Sequence, residues 1–175
     1  KRQRMRYRRR EHGLTDYRRR LKLLRSGEPR AVVRISNTQI VCQLVGYEAD
    51  GDIILASANG SGLVSNYKWS KGASRKSVPA CYLVGFALAK QAKSAGHSSA
   101  VLDIGLASST KGSRVFAALK GMVDGGLEIL HGESILPDDG RSNGAHIDAK
   151  VEKAVEKTRK AIELFLLHIS EPTRP

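Results

Sequence analysis

Residues 30–57 read RAVVRISNTQIVCQLVGYEADGDIILAS. Gln39–Val45 alternates clearly between apolar and polar, Arg30–Ser36 alternates weakly, and Asp52–Ser57 is an apolar run. A period of two sends successive side chains to opposite faces of a strand, so three strands are expected. Ser36-Asn37-Thr38 and Glu48–Gly51 carry turn chemistry between them, and Asn37 tolerates the left-handed backbone a hairpin turn needs. The stretch predicts an antiparallel meander.

Downstream the period changes. Residues 59–76 are rich in Gly, Ser and Lys and predict a loop. Residues 78–95 predict a helix, capped by Ser77, with Pro79 in its first turn and Gly96 closing it. Its small residues (Ala80, Gly85, Ala87, Ala89) imply close packing on the sheet. Ala100–Ile104 is a buried strand, and residues 113–123 form a helix begun by Ser113 with a core face of Val115, Phe116, Leu119 and Met122. Leu127–Leu130 is strand-like. Strand and helix alternating after a meander predict an α/β fold with a mixed sheet and packed helices. Residues 137–146 predict a linker. From about Ile147 to Ile169, Val151, Ala154, Val155, Thr158, Ile162, Phe165, Leu166 and Ile169 follow the helical period. That helix either packs on its own domain or docks onto a neighbouring protein or RNA.

Upstream lies an extended basic N-terminal arm, residues 1–13, and then a short helix over 15–26. Thr15 or Asp16 caps the helix and Gly27 stops it. Three regions follow: 1–27, basic arm and short helix; 28–136, α/β globular domain; 137–175, linker and C-terminal amphipathic helix.

The charge is uneven. The 175 residues carry 30 Lys and Arg against 17 Asp and Glu, a net charge of +13. Residues 1–25 hold 12 of the basic residues and only Glu11 and Asp16 among the acids. The rest is close to neutral. So dense a run of cations repels itself until a polyanion neutralises it. Arginine dominates the run, and its planar fork pairs with phosphate in a bidentate way. Tyr7 and Tyr17 interleave with the arginines and either stack on unpaired bases or pack on the domain.

Other classes are excluded or weakened. No apolar run reaches the ~18 residues of a spanning helix. The arginine-rich start has no apolar run behind it, so no secretory signal is expected. A short helix with a narrow apolar stripe does not suit a membrane surface. Cys42 and Cys81 are too few for a disulfide framework or a four-cysteine zinc site, and they suit a reducing, cytoplasmic setting. The five histidines (His12, His97, His131, His146, His168) show no metal-ligand spacing. No cofactor is expected.

Some residues have two readings. Asp103 ends a buried strand, where a metal-dependent nuclease would hold a ligand, yet no second carboxylate is identifiable. The loop Gly105–Ser113 follows a strand and opens a helix, but Lys111 precedes Gly112, which departs from a phosphate-binding loop. Lys111 with the amides of Gly112 and Ser113 fits an RNA phosphate better. Trp69, between Lys68 and Lys71, either stacks on a base or anchors its loop to the core, and composition alone favours the anchor. Arg34, Ser36 and Asn37 form one rim of a hairpin or are plain turn chemistry.

The segments Arg8–Leu24 (RRREHGLTDYRRRLKLL), Pro29–Ile40 (PRAVVRISNTQI), Pro79–Gly85 (PACYLVG), Val101–Gly121 (VLDIGLASSTKGSRVFAALKG) and His131–Pro137 (HGESILP) stand in a specific order. Together they resemble the large-subunit ribosomal protein L-eighteen family, archaeal type, over residues 1 to about 148. The resemblance implies a structural protein, not an enzyme, located in the cytoplasm within the large ribosomal subunit. It implies 5S rRNA, large-subunit rRNA and neighbouring proteins of the central protuberance as partners, with no membrane and no homo-oligomer. The RNA-binding residues it implies are Arg2, Arg4, Arg6, Arg8, Arg9, Arg10, Tyr17, Arg18, Arg19, Arg20, Lys22, Arg25, Arg34, Ser36 and Asn37. Thr15 and Asp16 match the motif and either touch RNA or only cap the helix. Lys68, Trp69, Lys71 and Lys111 complete the candidates. The competing reading is a metal-dependent nuclease with Asp103 as ligand and the arm as grip.

Overall fold

The computed structural model describes residues 3–170, with side chains through Phe165. Arg2 lies outside the described residues. Arg8–Glu11 forms a single helical turn, α1, and Tyr17–Leu24 forms α2. Asp16 is the cap of α2. Its carboxylate accepts from the backbone N–H of Arg18 at 3.0 Å and of Arg19 at 3.2 Å, two donors a first turn leaves unpaired. Thr15 instead accepts from Arg9 Nε at 3.0 Å.

The meander forms as expected. Strands β1 (Arg30–Ile35), β2 (Ile40–Tyr47) and β3 (Asp52–Asn59) pair antiparallel in sequence order, with a bulge at Leu44/Val45. Ser36 closes the first turn, where its Oγ donates to the Gln39 carbonyl at 2.9 Å. The expected loop at 59–76 is different. It begins with a helix, α3 (Gly60–Asn66), capped by Asn59 Oδ1, which accepts from Gly62 N–H at 2.7 Å. GSGLVSN is a poor helix former, and burial of Leu63, Tyr67 and Trp69 overrides that propensity.

Helix α4 (Val78–Ser94) starts at its Ser77 cap. Strand β4 (Val101–Asp103) then pairs parallel with β1, giving a mixed sheet ordered β3-β2-β1-β4. Helix α5 (Arg114–Asp124) follows. Together α4 and α5 cover one sheet face. The small residues of α4 serve this helix pair as well as the sheet. A Cβ on Gly85 would sit 2.0 Å from the Ala118 carbonyl oxygen, and one on Gly121 would sit 2.0 Å from that of Tyr82. Only glycine permits so close a backbone approach.

Two further expectations change. Leu127–Leu130 is not a strand: Glu128 makes an isolated parallel bridge with Ser99. The expected linker holds a short helix, α6 (Asp139–Asn143), with Ser142 buried. The last helix, α7 (Ala149–Ser170), packs on α4. It buries Val155, Thr158 and Ile162, places Arg159 5.0 Å over the Phe86 ring, and sets Phe165 edge-on to Tyr67 at 5.4 Å. Of the two alternatives for this helix, packing on its own domain is the one observed. The side chains of Leu166 and Ile169 lie outside the described residues. Among the described residues no helix is long and apolar enough to cross a membrane.

Candidate nucleic-acid interface

The alternation of β1 sends Ala31 and Val33 into the core. It sends Arg30, Val32 and Arg34 to the opposite face of the sheet. Arg30 is only 2% exposed, and a buried guanidinium requires anions. Two carboxylates supply them. Arg30 Nη1 donates to Asp103 Oδ2 at 3.1 Å, and Arg30 Nη2 donates to Asp52 Oδ2 at 2.8 Å. Arg34 Nη2 donates to Asp103 Oδ1 at 3.0 Å and its Nη1 to the Asp103 carbonyl at 2.8 Å. At the far end, Arg20 Nη2 donates to both oxygens of Asp52, at 2.7 and 2.9 Å. The result is an alternating row: Arg34, Asp103, Arg30, Asp52, Arg20.

This row ties α2 to the sheet. Arg19 adds a second tie, donating from Nη1 to the Gly105 carbonyl at 2.6 Å. The electrostatics follow. Asp52 lies below the usual carboxylate range, first because Arg20 hydrogen-bonds it. Burial pushes Asp103 up, but the Arg34 charge and hydrogen bond, the Gly105 amide and Arg30 together bring it below its usual value. Asp16 is lowered mainly by the Arg19 amide.

Asp103 is therefore an ion-pair anchor. Its oxygens already accept from Arg30, Arg34 and the Gly105 N–H at 2.8 Å. Among the described residues no group of three His, Cys, Asp or Glu is placed to hold a metal. The nuclease reading loses the ligand it was built on.

Several predicted site residues have internal duties. Trp69 is 3% exposed and offers no face to a base, so it is the core anchor. Ser36 Oγ is taken up by its turn. The Gly112 and Ser113 amides donate to the carbonyls of Ile135 and Thr110, which leaves Lys111 exposed without the expected amide cradle. Tyr17 is half-buried, its ring 5.1 Å from that of Tyr7. Asn37, Lys68 and Lys71 are exposed.

Other cations are free. Arg4, Arg6, Arg8, Arg10, Arg18, Lys22 and Arg25 are exposed, and none forms a side-chain ion pair or hydrogen bond among the described residues. They line the arm and the outer side of α2. Beneath α2, which buries none of its residues, a cleft of ≈ 910 Å³ separates it from the sheet.

Sequence reasoning missed Arg30, Asp52 and the structural duty of Asp103. One signal was available. Arg30 and Arg34 share a strand face, and cations on a covered face demand carboxylates. The partners lie 22 and 73 residues from Arg30, so spacing along the chain does not reveal them.

The chain matches a family described as "Ribosomal large subunit proteins 60S L5, and 50S L18" over residues 1–96 and 91–132. That span includes the arm, α2, the whole sheet, α4 and α5. It is 51% identical over 167 residues to the large ribosomal subunit protein uL18 of Methanoregula boonei, covering 92% of this chain and 94% of that protein. It is 46% identical over 153 residues to the protein of the same name from Korarchaeum cryptofilum, covering 87% and 77%. With the Methanoculleus marisnigri uL18 it shares 51% over 141 residues, covering 81% and 79%. Arm, α2 and sheet thus all fall within the matched residues, and the chain belongs to the uL18 family of large ribosomal subunit proteins.

Proposed function

We propose that this chain is a non-catalytic constituent of the large ribosomal subunit that binds 5S rRNA and helps dock it to the large-subunit rRNA at the central protuberance. The observation that carries the reading is the set of free cations on the arm and α2. They stand unpaired while Arg20 of the same run is neutralised by Asp52, and Arg30 and Arg34 of β1 by Asp52 and Asp103. An unpaired arginine row fits phosphates. Arg19 and Arg20 act here by holding α2 in place, and Arg34 by bracing β4. Asn37, Lys68, Lys71 and Lys111 lie outside the arm and serve as secondary contacts.

The test is binding to 5S rRNA and to an unrelated RNA of equal length, over a range of salt. With roughly six phosphate contacts, log K falls with log salt at a slope of about −4 to −5. The expected result is a preference for 5S rRNA that persists at high salt. Deleting residues 1–10 flattens the slope and weakens binding to both RNAs. Equal binding to both RNAs that vanishes with salt makes the arm a generic polyanion grip and rejects the reading.

A further inference from the structure

The cleft beneath α2 has a chemistry that the free cations do not account for. Gln43 lies on its floor, half-buried, and its amide has no hydrogen-bond partner among the described residues. Arg30 forms part of the same floor, and its Nε is buried without a partner. Arg34 commits three N–H groups to Val33 and Asp103. A guanidinium has five, and this one is half exposed. Tyr17 and Ile54 contribute ring and apolar wall, and Arg9 and Arg19 also line the cleft.

Each property narrows the occupant. A volume near 910 Å³ falls in the range of sites that enclose an organic ligand, roughly 300–1,000 Å³. A simple anion would meet the carboxylates of Asp52 and Asp103. An aliphatic chain would leave the Gln43 amide unsatisfied. An unstacked nucleobase meets every requirement. Its faces suit Tyr17 and Ile54, its edge both donates and accepts toward Gln43 and Arg34, and its phosphate suits Arg9 and Arg19.

We propose that the cleft between α2 and the sheet takes one unstacked nucleotide of the bound RNA. The inference rests on the RNA-binding reading above and adds to it a site of base recognition beyond the phosphate contacts of the free cations.

The experiment uses the full chain and 5S rRNA. Ile54→Trp narrows the cleft, and Ile54 is 56% exposed, so no core position is disturbed. Gln43→Leu removes the amide at nearly constant volume. Ile54→Trp is expected to lose about tenfold in affinity, and Gln43→Leu about fivefold. Gln43→Leu should keep the wild-type salt slope, because that slope counts phosphates, and Ile54→Trp should flatten it by no more than about 1, the one phosphate at Arg9 and Arg19. Ultraviolet cross-linking of the wild-type complex should place a nucleotide adduct on Tyr17, and Ile54→Trp should abolish it. Variants that bind within twofold of wild type, together with no adduct on Tyr17, overturn the proposal. Thermal unfolding identifies a variant that has lost its fold, and the cross-link then decides. A wild-type protein with no preference for 5S rRNA would instead reject the RNA-binding reading itself.

Discussion

The two faces of the sheet are made of opposite materials. On one, α4 and α5 close over Ala31, Val33, Ile40, Cys42 and Leu44, all buried, with helix backbones in contact at Gly85 and Gly121. On the other, α2 buries no residue, is held by Arg19 and Arg20, and stands over an open cleft. The first face is specified by volume. The second is specified by charge, and it leaves room. A close-packed core cannot also be an open, charged cleft, and this sheet assigns the two to its two sides.

The contrast is sharpest at Gly85. Gly85→Val drives side-chain carbons into the α5 backbone and should cost more than about 4 kcal/mol in urea unfolding, through overpacking with no direction of escape. A cost below about 1 kcal/mol would break the contrast, since it would mean the helix pair yields as easily as the cleft side.

Asp103→Asn tests the other face where it is most buried. It leaves Arg30 and Arg34 short of a counter-charge and should cost about 3 kcal/mol. The same site predicts a pH dependence. The folded carboxyl of Asp103 lies below its usual value, so its stabilisation is complete at neutral pH. It is lost as pH falls below the ordinary carboxylate value of about 4 and on through the folded one. Melting temperatures measured from pH 7 to pH 2 should fall less steeply in that acid window for Asp103→Asn than for wild type.

The smallest effect belongs to Arg20. The Arg20 and Asp52 side chains are each about a third exposed, and Arg20→Ala should change global stability by only ~0.5–1 kcal/mol, less at high salt. Hydrogen exchange is the finer probe. The amides of α2 should exchange faster in the variant while those of α4 stay unchanged. Equal acceleration in both helices would mean that α2 unfolds only together with the core.

What was legible in the sequence follows the same division. The meander, α5 and α7 announce themselves by periodicity, because burial on one side imposes a period of 2 or 3.6. Helix α4, buried without a break from Pro79 to Ala89, is legible instead from its Ser77 cap, Pro79 and the closing Gly96. Helix α3 does not, because GSGLVSN has no helical preference of its own and depends on Leu63, Tyr67 and Trp69 sinking into the core. The free cations of the arm were legible as a run of like charge. The neutralised ones were not distinguishable from them: Arg18 and Arg20 look alike in sequence, and only Asp52, 32 residues beyond Arg20, sets them apart. Asp103 invited a metal because the end of a strand is a common place for one. Its charge is instead matched by arginines from a neighbouring strand.

The order of the strands also has a consequence in time. β1 lies between β2, which follows it at once, and β4, which begins only at Val101. The helices that cover the meander begin at Val78 and Arg114. During synthesis, which delivers the N-terminal part first, the arm and meander precede everything that completes the core. Closure of the sheet therefore waits on contacts distant in sequence, the slow kind. Until α4 is made, an apolar face stands uncovered beside a strongly cationic segment. The chain therefore presents its densest positive charge before its own fold has closed.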